Sequence, residues 1–333
     1  MFQAPQLGPP AGSLLREGRA MIGALAEDFR QLPGVRVVAM QDVRVPDGFL
    51  PGCEVVLVES AGQEAELLAQ RAVTSDWTVV IAPELDGWLL RRCRLVHQAG
   101  GRLLGPGLDV VELASDKQQT CEHLLRHGVR VPEGRVLEPA APLPTGVPYP
   151  AVLKPCWGAG SVGLQRIDSP RGRLAPGAED GPWRLERFCP GTPASVSFLC
   201  GPEGAVPLPA CSQRLSQDGR FRYVGGQLLS DPELRRRATT AAAAALRALP
   251  ALLGYVGVDL VLGAARDGSE DYVVEINPRL TTSYVGLRAA TRMNLAGAML
   301  QIAAGDPVDL VFDDIPIRFE ADGTVEQLAR AAR

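Results

Sequence analysis

"DYVVEINPRLTTSY" (Asp271–Tyr284) opens as a strand and then sets Glu275, Asn277 and Arg279 at alternate positions. Successive strand side chains point to opposite faces, so a carboxylate, an amide and a guanidinium fall in a row on one side. Upstream lies a second apolar run, "GYVGVDLVL" (Gly254–Leu262), which carries Asp259; the linking "GAARDGSE" contains the hairpin signal Asp267-Gly268. A two-residue turn there pairs Asp259 with Ile276, and a slightly longer loop or a bulge moves the partner to Glu275. The two acids then stand together on neighbouring strands. Such carboxylates repel unless a cation lies between them, and oxygen ligands from Asp, Glu and Asn suit Mg²⁺ bridging nucleotide phosphates. The alternative is an exposed hairpin with ordinary surface acids, but "YVGV" and "YVVEI" are too apolar for full exposure.

Composition narrows the function classes. At 333 residues, 46% hydrophobic and 22% charged, the chain has a globular composition with room for two or three lobes. A formal charge of -4 gives no general attraction to nucleic acid or anionic membrane. The short basic run Arg235, Arg236 and Arg237 reads as a solvated helix face. Seven scattered cysteines show neither a disulfide framework nor a zinc-ribbon spacing, which points to a reducing, cytoplasmic setting. The start has no apolar signal region, and no segment has the ~18 uninterrupted apolar residues of a membrane span.

Three textures follow one another. Residues 13–112 alternate helical spacing ("SLLREGRAMIGALAEDF", "RRCRLVHQAG") with short β-branched runs ("VRVVAM", "EVVLVES", "TVVIAPE"), an open α/β pattern with a mostly parallel sheet. Next, Ser115 or Asp116 caps a helix that Gly128 and Pro132 end. From "AVLKP" onward strands dominate until Asp231-Pro232 opens an Ala-rich helix running to about Leu249, so this part is α+β with antiparallel strands. The expected domains are 1–112, 113–185 and 186–333.

"KPCWGAGSVG" spells G-x-G-x-x-G with Gly158, Gly160 and Gly163, yet "LQRI" after it reads as a strand where a dinucleotide fold needs a helix. A β-hairpin flap fits better, its backbone N–H groups around Gly158, Gly160, Ser161 and Gly163 covering phosphates; a bare glycine turn is the alternative. Lys154, at the end of the strand entering the loop, favours the flap because its ammonium can reach a phosphate oxygen, and Lys117 at the capped helix start offers a second cation. His123 and His127 have helical metal-pair spacing but no third ligand, and read as ordinary helix residues.

Two lysines, a glycine flap and an Asp…Glu-x-Asn set, in this order, resemble the ATP-grasp superfamily of carboxylate–amine ligases over roughly residues 112–305. The resemblance implies an ATP-grasp fold, α/β and α+β, with an N-terminal pre-ATP-grasp lobe and two α+β subdomains holding ATP between them. It implies that Lys117 and Lys154 contact ATP phosphates, and that Glu186 and the backbone around Phe188 in the hinge "ERFCPG" read adenine. It further implies that Asp259, Glu275 and Asn277 hold Mg²⁺, with Mn²⁺ as a substitute, and that Arg279 faces the transferring phosphoryl group and acyl intermediate. Where relatives often carry an acidic ribose ligand, this chain has Pro193.

"LLREG", "APELDG" and "EINPRLTTSYVGL" together resemble the tyramine–glutamate ligase family of methanofuran-type cofactor synthesis, although this chain lacks that family's opening strand and glycine-rich turn. The implied substrates are a small-molecule carboxylate, glutamate, and an amine of tyramine type, with no nucleic acid or membrane partner; the oligomeric state is open, a homodimer being one option. Glu84 and Asp86, after the strand "TVVI", stand where open α/β sheets bind ligands and could hold an ammonium group, while Thr281, Thr282 and Ser283 offer hydroxyls beside the phosphoryl site. Helix capping and a strand end are the plainer readings of these residues. A phosphotransferase on the same fold, or a ligase for a different amino acid or peptide, is the alternative function.

Overall fold

The computed structural model describes residues 12–45, 48, 50–138, 141–158, 161–172 and 182–329. The N-terminal lobe contains α1 (Ser13–Arg30), β1 (Val38–Asp42), β2 (Glu54–Val58), α2 (Ala61–Thr74), α3 (Trp88–Gln98) and α4 (Leu108–Ser115). Its regular sheet is smaller than the sequence suggests. β1 and β2 pair in parallel, whereas "TVVI" joins a neighbour only through a single parallel bridge, Thr78 to Leu103. The segment stays extended because its side chains divide between two cores: Val79 and Ile81 pack on the main core, Val80 and Ala82 on a smaller one with Leu89 and Cys93.

The small lobe contains α5 (Lys117–Arg126), β3 (Gly134–Leu137), β4 (Ala151–Pro155), β5 (Gln165–Ile167) and β6 (Trp183–Arg187), its strands in the antiparallel order β3-β6-β4-β5. Asp116 caps α5, its carboxylate accepting from the backbone N–H groups of Gln118 and Gln119. Gly128, at φ +75°, then lets Val129 N–H return to the carbonyl of Leu124 and close the helix. β6 runs through the division expected between 185 and 186, so this sheet extends to Arg187 and includes Glu186.

The large lobe contains β7 (Thr192–Gly201), β8 (Gly204–Pro207), β9 (Cys211–Leu215), β10 (Tyr223–Leu228), α6 (Pro232–Arg247), β11 (Gly254–Leu262), β12 (Tyr272–Asn277), α7 (Ser283–Ala289), α8 (Leu295–Ala304), β13 (Ile317–Glu320) and β14 (Val325–Gln327). Its antiparallel sheet has the order β12-β11-β7-β9-β10-β13-β14, with β8 on β7. One core brings Ala238, Ala242 and Ala245 of α6 against Val196, Val256 and Val258, and the short alanine side chains allow the helix to lie close to the strands. Another core sets α1, α7 and α8 against Leu199, Tyr255 and Phe319.

The basic run on α6 divides. Arg235 and Arg236 carry exposed ion pairs, but Arg237 is buried; its Nε donates to Asp271 at 3.0 Å and its Nη2 to the carbonyl of Gly263 at 2.7 Å. The expectation of a solvated face fails for Arg237 because the helical period turns it towards the β11–β12 hairpin. His123 bonds the carbonyl of Ala248 at 2.6 Å and His127 that of His123 at 2.8 Å, both ordinary helix-packing contacts. All seven cysteines are free thiols, and no described helix is long and apolar enough to cross a membrane.

Candidate active site

The β11–β12 hairpin brings its acids together. A bulge between Asp259 and Leu260 shifts the register, and Asp259 pairs with Glu275 while Gly257 faces Asn277. Asp259 Oδ1 accepts from Gln213 Nε2 at 2.8 Å and Oδ2 from Asn277 Nδ2 at 3.1 Å. Burial, then the charge of Glu275, pushes the Asp259 carboxyl up to about 7 from its ordinary 3.8. Burial also opposes ionisation of Glu275, but the Lys117 ammonium 2.7 Å away, with the charges of Lys154 and Arg279, holds that carboxyl below its usual range.

Lys117 breaks a local rule, since a cation at the first turn of a helix faces the positive end of the helix dipole. Its side chain is buried and bonds two other elements, Glu275 of the hairpin and the carbonyl of Gly158 in the flap, the latter at 2.6 Å. Gly158 therefore meets Lys117 through its carbonyl. Ser161 and Gly163 take left-handed backbone, φ +60° and +77°, and a side chain at Gly163 would press on Trp183 and Pro155. Gly160 lies outside the described residues. The flap is a β4–β5 hairpin, tied to the large lobe by Arg166 N–H donating to the carbonyl of Gly219 at 2.7 Å.

Two of the expected site carboxylates have partners within the protein. Glu186 was expected to read adenine, but both its oxygens are engaged inside the small lobe: Oε1 with Lys154 Nζ at 2.6 Å and Oε2 with Arg184 Nε at 2.9 Å. Strand alternation puts Arg184 and Glu186 on one face of β6, and β4 brings Lys154 alongside. The carboxylate thus holds Lys154 in place. Phe188 follows β6; its N–H donates to the carbonyl of Pro150 at 3.1 Å, and its ring lies 6.0 Å from that of Phe221.

Glu84 was expected to offer an open carboxylate for an ammonium group. It is 2% exposed and grips Arg279 in a two-pronged pair, Nε to Oε1 and Nη2 to Oε2, each 2.9 Å. Asp86 is exposed in the 3₁₀ turn Leu85–Gly87 with φ +51°, so it does not join Glu84. The hydroxyls after Arg279 turn inward. Thr281 and Ser283 bond each other at 2.7 Å and reach Tyr255 Oη at 3.0 and 3.2 Å, while Thr282 is buried at the start of α7. They brace the turn that carries Arg279.

A cavity of about 990 Å³ lies between α1, the flap, the turn 216–222 and the turn 320–322; Lys117, Lys154, Asp259, Glu275 and Arg279 do not line it, and its link to them runs through Glu17 and Tyr223. Glu17 and Tyr223 lie on its wall towards the charged centre. Burial raises the Glu17 carboxyl against the pull of Arg279 and Arg16. Tyr223 is held well above the ordinary phenol range, by burial first and then by neighbours that include Asp259 and Glu17. Neither was identified from sequence, nor were Arg184 and Gln213. For Arg184 the signal was present, as an i, i+2 Arg–Glu pair in a strand.

Among the described residues no three His, Cys, Asp or Glu side chains converge to hold a metal ion; the candidate cation site has two acids, Asp259 and Glu275, brought together by the strand register, with the Asn277 amide on the same strand as Glu275. This donor set fits a hard divalent cation, which would offset the burial and then the Glu275 charge that raise Asp259.

The sequence matches the ATP-grasp domain family over residues 114–283 and the pre ATP-grasp 3 domain over 35–111. The chain belongs to the ATP-grasp family. A tyramine–L-glutamate ligase of Methanocaldococcus jannaschii is 25% identical over 295 residues, 87% of this chain and 84% of the relative. A D-alanine–D-alanine ligase of Nitratidesulfovibrio vulgaris is 32% identical over 215 residues, 59% of this chain and 68% of the relative. Among solved structures, an ATP-grasp superfamily protein from Archaeoglobus fulgidus superposes with a TM-score of 0.69 at 24% identity, covering 96% of this chain and 89% of its own. As a member of the ATP-grasp family, the chain is an ATP-using enzyme of the ligase class.

Proposed function

We propose that the chain joins a carboxylate to an amine through an acyl phosphate, with glutamate and an amine of tyramine type as the substrate pair. The observation that carries this reading is the joining of two features: a buried cluster of Lys117, Lys154 and Arg279 with paired acids, and a chamber, linked to it through Glu17 and Tyr223, large enough for two small substrates. A tyramine–L-glutamate ligase similar to this chain over 87% of its length supports the choice of substrates.

In this reading a carboxylate oxygen of the substrate attacks the γ-phosphorus of ATP. A bond from that oxygen to phosphorus forms, the bond to the β-phosphate oxygen breaks, and ADP leaves. The amine lone pair then attacks the acyl carbon; the bond from that carbon to the phosphate oxygen breaks, phosphate leaves with the bonding electron pair, and the proton lost from the amine nitrogen passes to the departing phosphate. Lys117, Lys154 and Arg279 offset charge that develops on the equatorial phosphoryl oxygens and the tetrahedral oxyanion. Asp259, Glu275 and Asn277 would hold Mg²⁺, which would supply further charge neutralisation during phosphoryl transfer. The flap hairpin excludes water from the acyl phosphate. Glu17, in place of Glu84, faces the chamber and suits a substrate ammonium group.

The test is ADP release with glutamate and tyramine, each alone and together, with mass spectrometry of the products. The expected result is stimulation by the pair, an amide product, ADP and phosphate, and loss of turnover in EDTA. AMP and pyrophosphate would exclude the acyl-phosphate route. Full-rate ADP release with the carboxylate alone, yielding a stable phosphorylated product, would make the chain a phosphotransferase.

A further inference from the structure

Arg279 stands two residues past the end of β12 in the large lobe, yet its main partner comes from the N-terminal lobe, 195 residues away in sequence. The pairing is two-pronged and nearly sealed: Glu84 is 2% exposed and the Arg279 side chain 12%. The remaining guanidinium bonds are weaker or local, Nη1 to the carbonyl of Leu280 at 3.1 Å and Nη2 to Asn277 Oδ1 at 3.4 Å. Planar fork pairing fixes the rotation of a guanidinium as well as its position, which a single hydrogen bond does not. Glu84 is itself held by backbone, its carbonyl accepting from Gly87 N–H at 3.2 Å at the start of the 3₁₀ turn.

We propose that Glu84 is a positioning residue, which orients Arg279 for phosphoryl transfer and so makes turnover depend on docking of the N-terminal lobe. The inference rests on the proposed role of Arg279 in that transfer. Glu84 does not meet substrate; both its oxygens are used on the arginine. The N-terminal lobe therefore completes the catalytic centre as well as lining the chamber through α1.

The experiment compares full-length parent, Glu84→Gln, Glu84→Asp, Arg279→Lys and Glu84→Gln/Arg279→Lys by steady-state ADP release at saturating Mg²⁺, with near-ultraviolet circular dichroism to measure the folded fraction. Glu84→Gln keeps the side-chain length but loses the charge and one acceptor, and Glu84→Asp keeps the charge. The expected result for Glu84→Gln is a fall in kcat of about tenfold or more with KM for ATP within about threefold. Glu84→Asp loses less. In the Arg279→Lys background, where the fork is already gone, Glu84→Gln changes kcat by less than about threefold, because a residue acting through Arg279 has nothing left to orient. Independent, multiplying losses in the double variant would overturn the proposal, as would unchanged kcat in Glu84→Gln or losses that only follow the folded fraction. If the parent shows no stimulation by glutamate and tyramine, the substrate assignment fails, while the same ratios read in basal ATP turnover still decide the role of Glu84.

Discussion

Replacing Asp259 with Asn is expected to stabilise the metal-free protein at alkaline pH while removing its response to Mg²⁺. The Asp259 carboxyl holds its proton up to about pH 7 in the folded chain, against an ordinary 3.8. Between those values the folded state binds a proton that the unfolded state has lost, so this group makes stability fall as pH rises from about 4 to 7, with no further change above. At about 1.4 kcal/mol per pH unit the full penalty is roughly 4 kcal/mol at pH 8, of which about 1.5 kcal/mol is already present at pH 5. The Asn variant escapes it, but sets an amide against Gln213 or Asn277 and loses about 1 kcal/mol of hydrogen bonding at any pH. The variant should therefore gain about 2 to 3 kcal/mol more on the parent at pH 8 than at pH 5. For 333 residues this is a shift in Tm of about 4 °C. Thermal denaturation in EDTA at both pH values measures the difference. In Mg²⁺ at pH 8 the parent should recover stability and the variant should not. A stability difference that stays constant with pH would refute the raised carboxyl, and equal Mg²⁺ stabilisation of both proteins would refute its place in the cation site.

Two further outcomes follow from buried charges. Arg237→Met leaves Asp271 without its guanidinium partner and should cost about 3 to 5 kcal/mol in urea denaturation, with Arg237→Met/Asp271→Asn recovering a good part; a single-variant loss below about 1 kcal/mol would show the pair to be dispensable. Lys117→Met should weaken binding of a non-hydrolysable ATP analogue in Mg²⁺ by about tenfold or more in calorimetry, whereas unchanged affinity would reduce Lys117 to a tie between the flap and β12.

Much of the frame was legible because it depends on local chemistry. Asp116 and Asp231 cap the helices that follow them, and the two apolar runs around Asp267-Gly268 form the hairpin, with the bulge that brings Asp259 opposite Glu275. What escaped depends on partners distant in sequence. Nothing near "APELDG" says that Glu84 meets an arginine in another lobe, and nothing near "LLREG" says that Glu17 lines a chamber shared with the flap. Arg237 looked like its exposed neighbours because a charge run hides which member the helix turns inward.

The charge pattern carries one step more. Of the buried or half-buried acids in the centre, Glu84 pairs with Arg279, Glu186 with Lys154 and Arg184, and Glu275 with Lys117. Asp259 is different: its oxygens meet only the amides of Gln213 and Asn277 among the described residues, and Glu275 stands beside it across the strand pair. Amides donate hydrogen bonds but no net charge, so they orient the carboxylate without offsetting the cost of ionising it in a buried place. A site meant only for stability would put a lysine or arginine there, as the other three acids have. Leaving one acid to neutral donors keeps a position that holds a proton up to about pH 7 and that a divalent cation neutralises in the proton's place. That arrangement makes cation binding the event that completes the charge balance of the centre, and it predicts that Gln213→Lys, which would supply the missing positive charge where the Gln213 amide now donates to Asp259 at 2.8 Å, weakens Mg²⁺ dependence and turnover together while raising thermal stability in EDTA. A Gln213→Lys protein with unchanged Mg²⁺ titration would show that Asp259 is not the acid on which the cation depends.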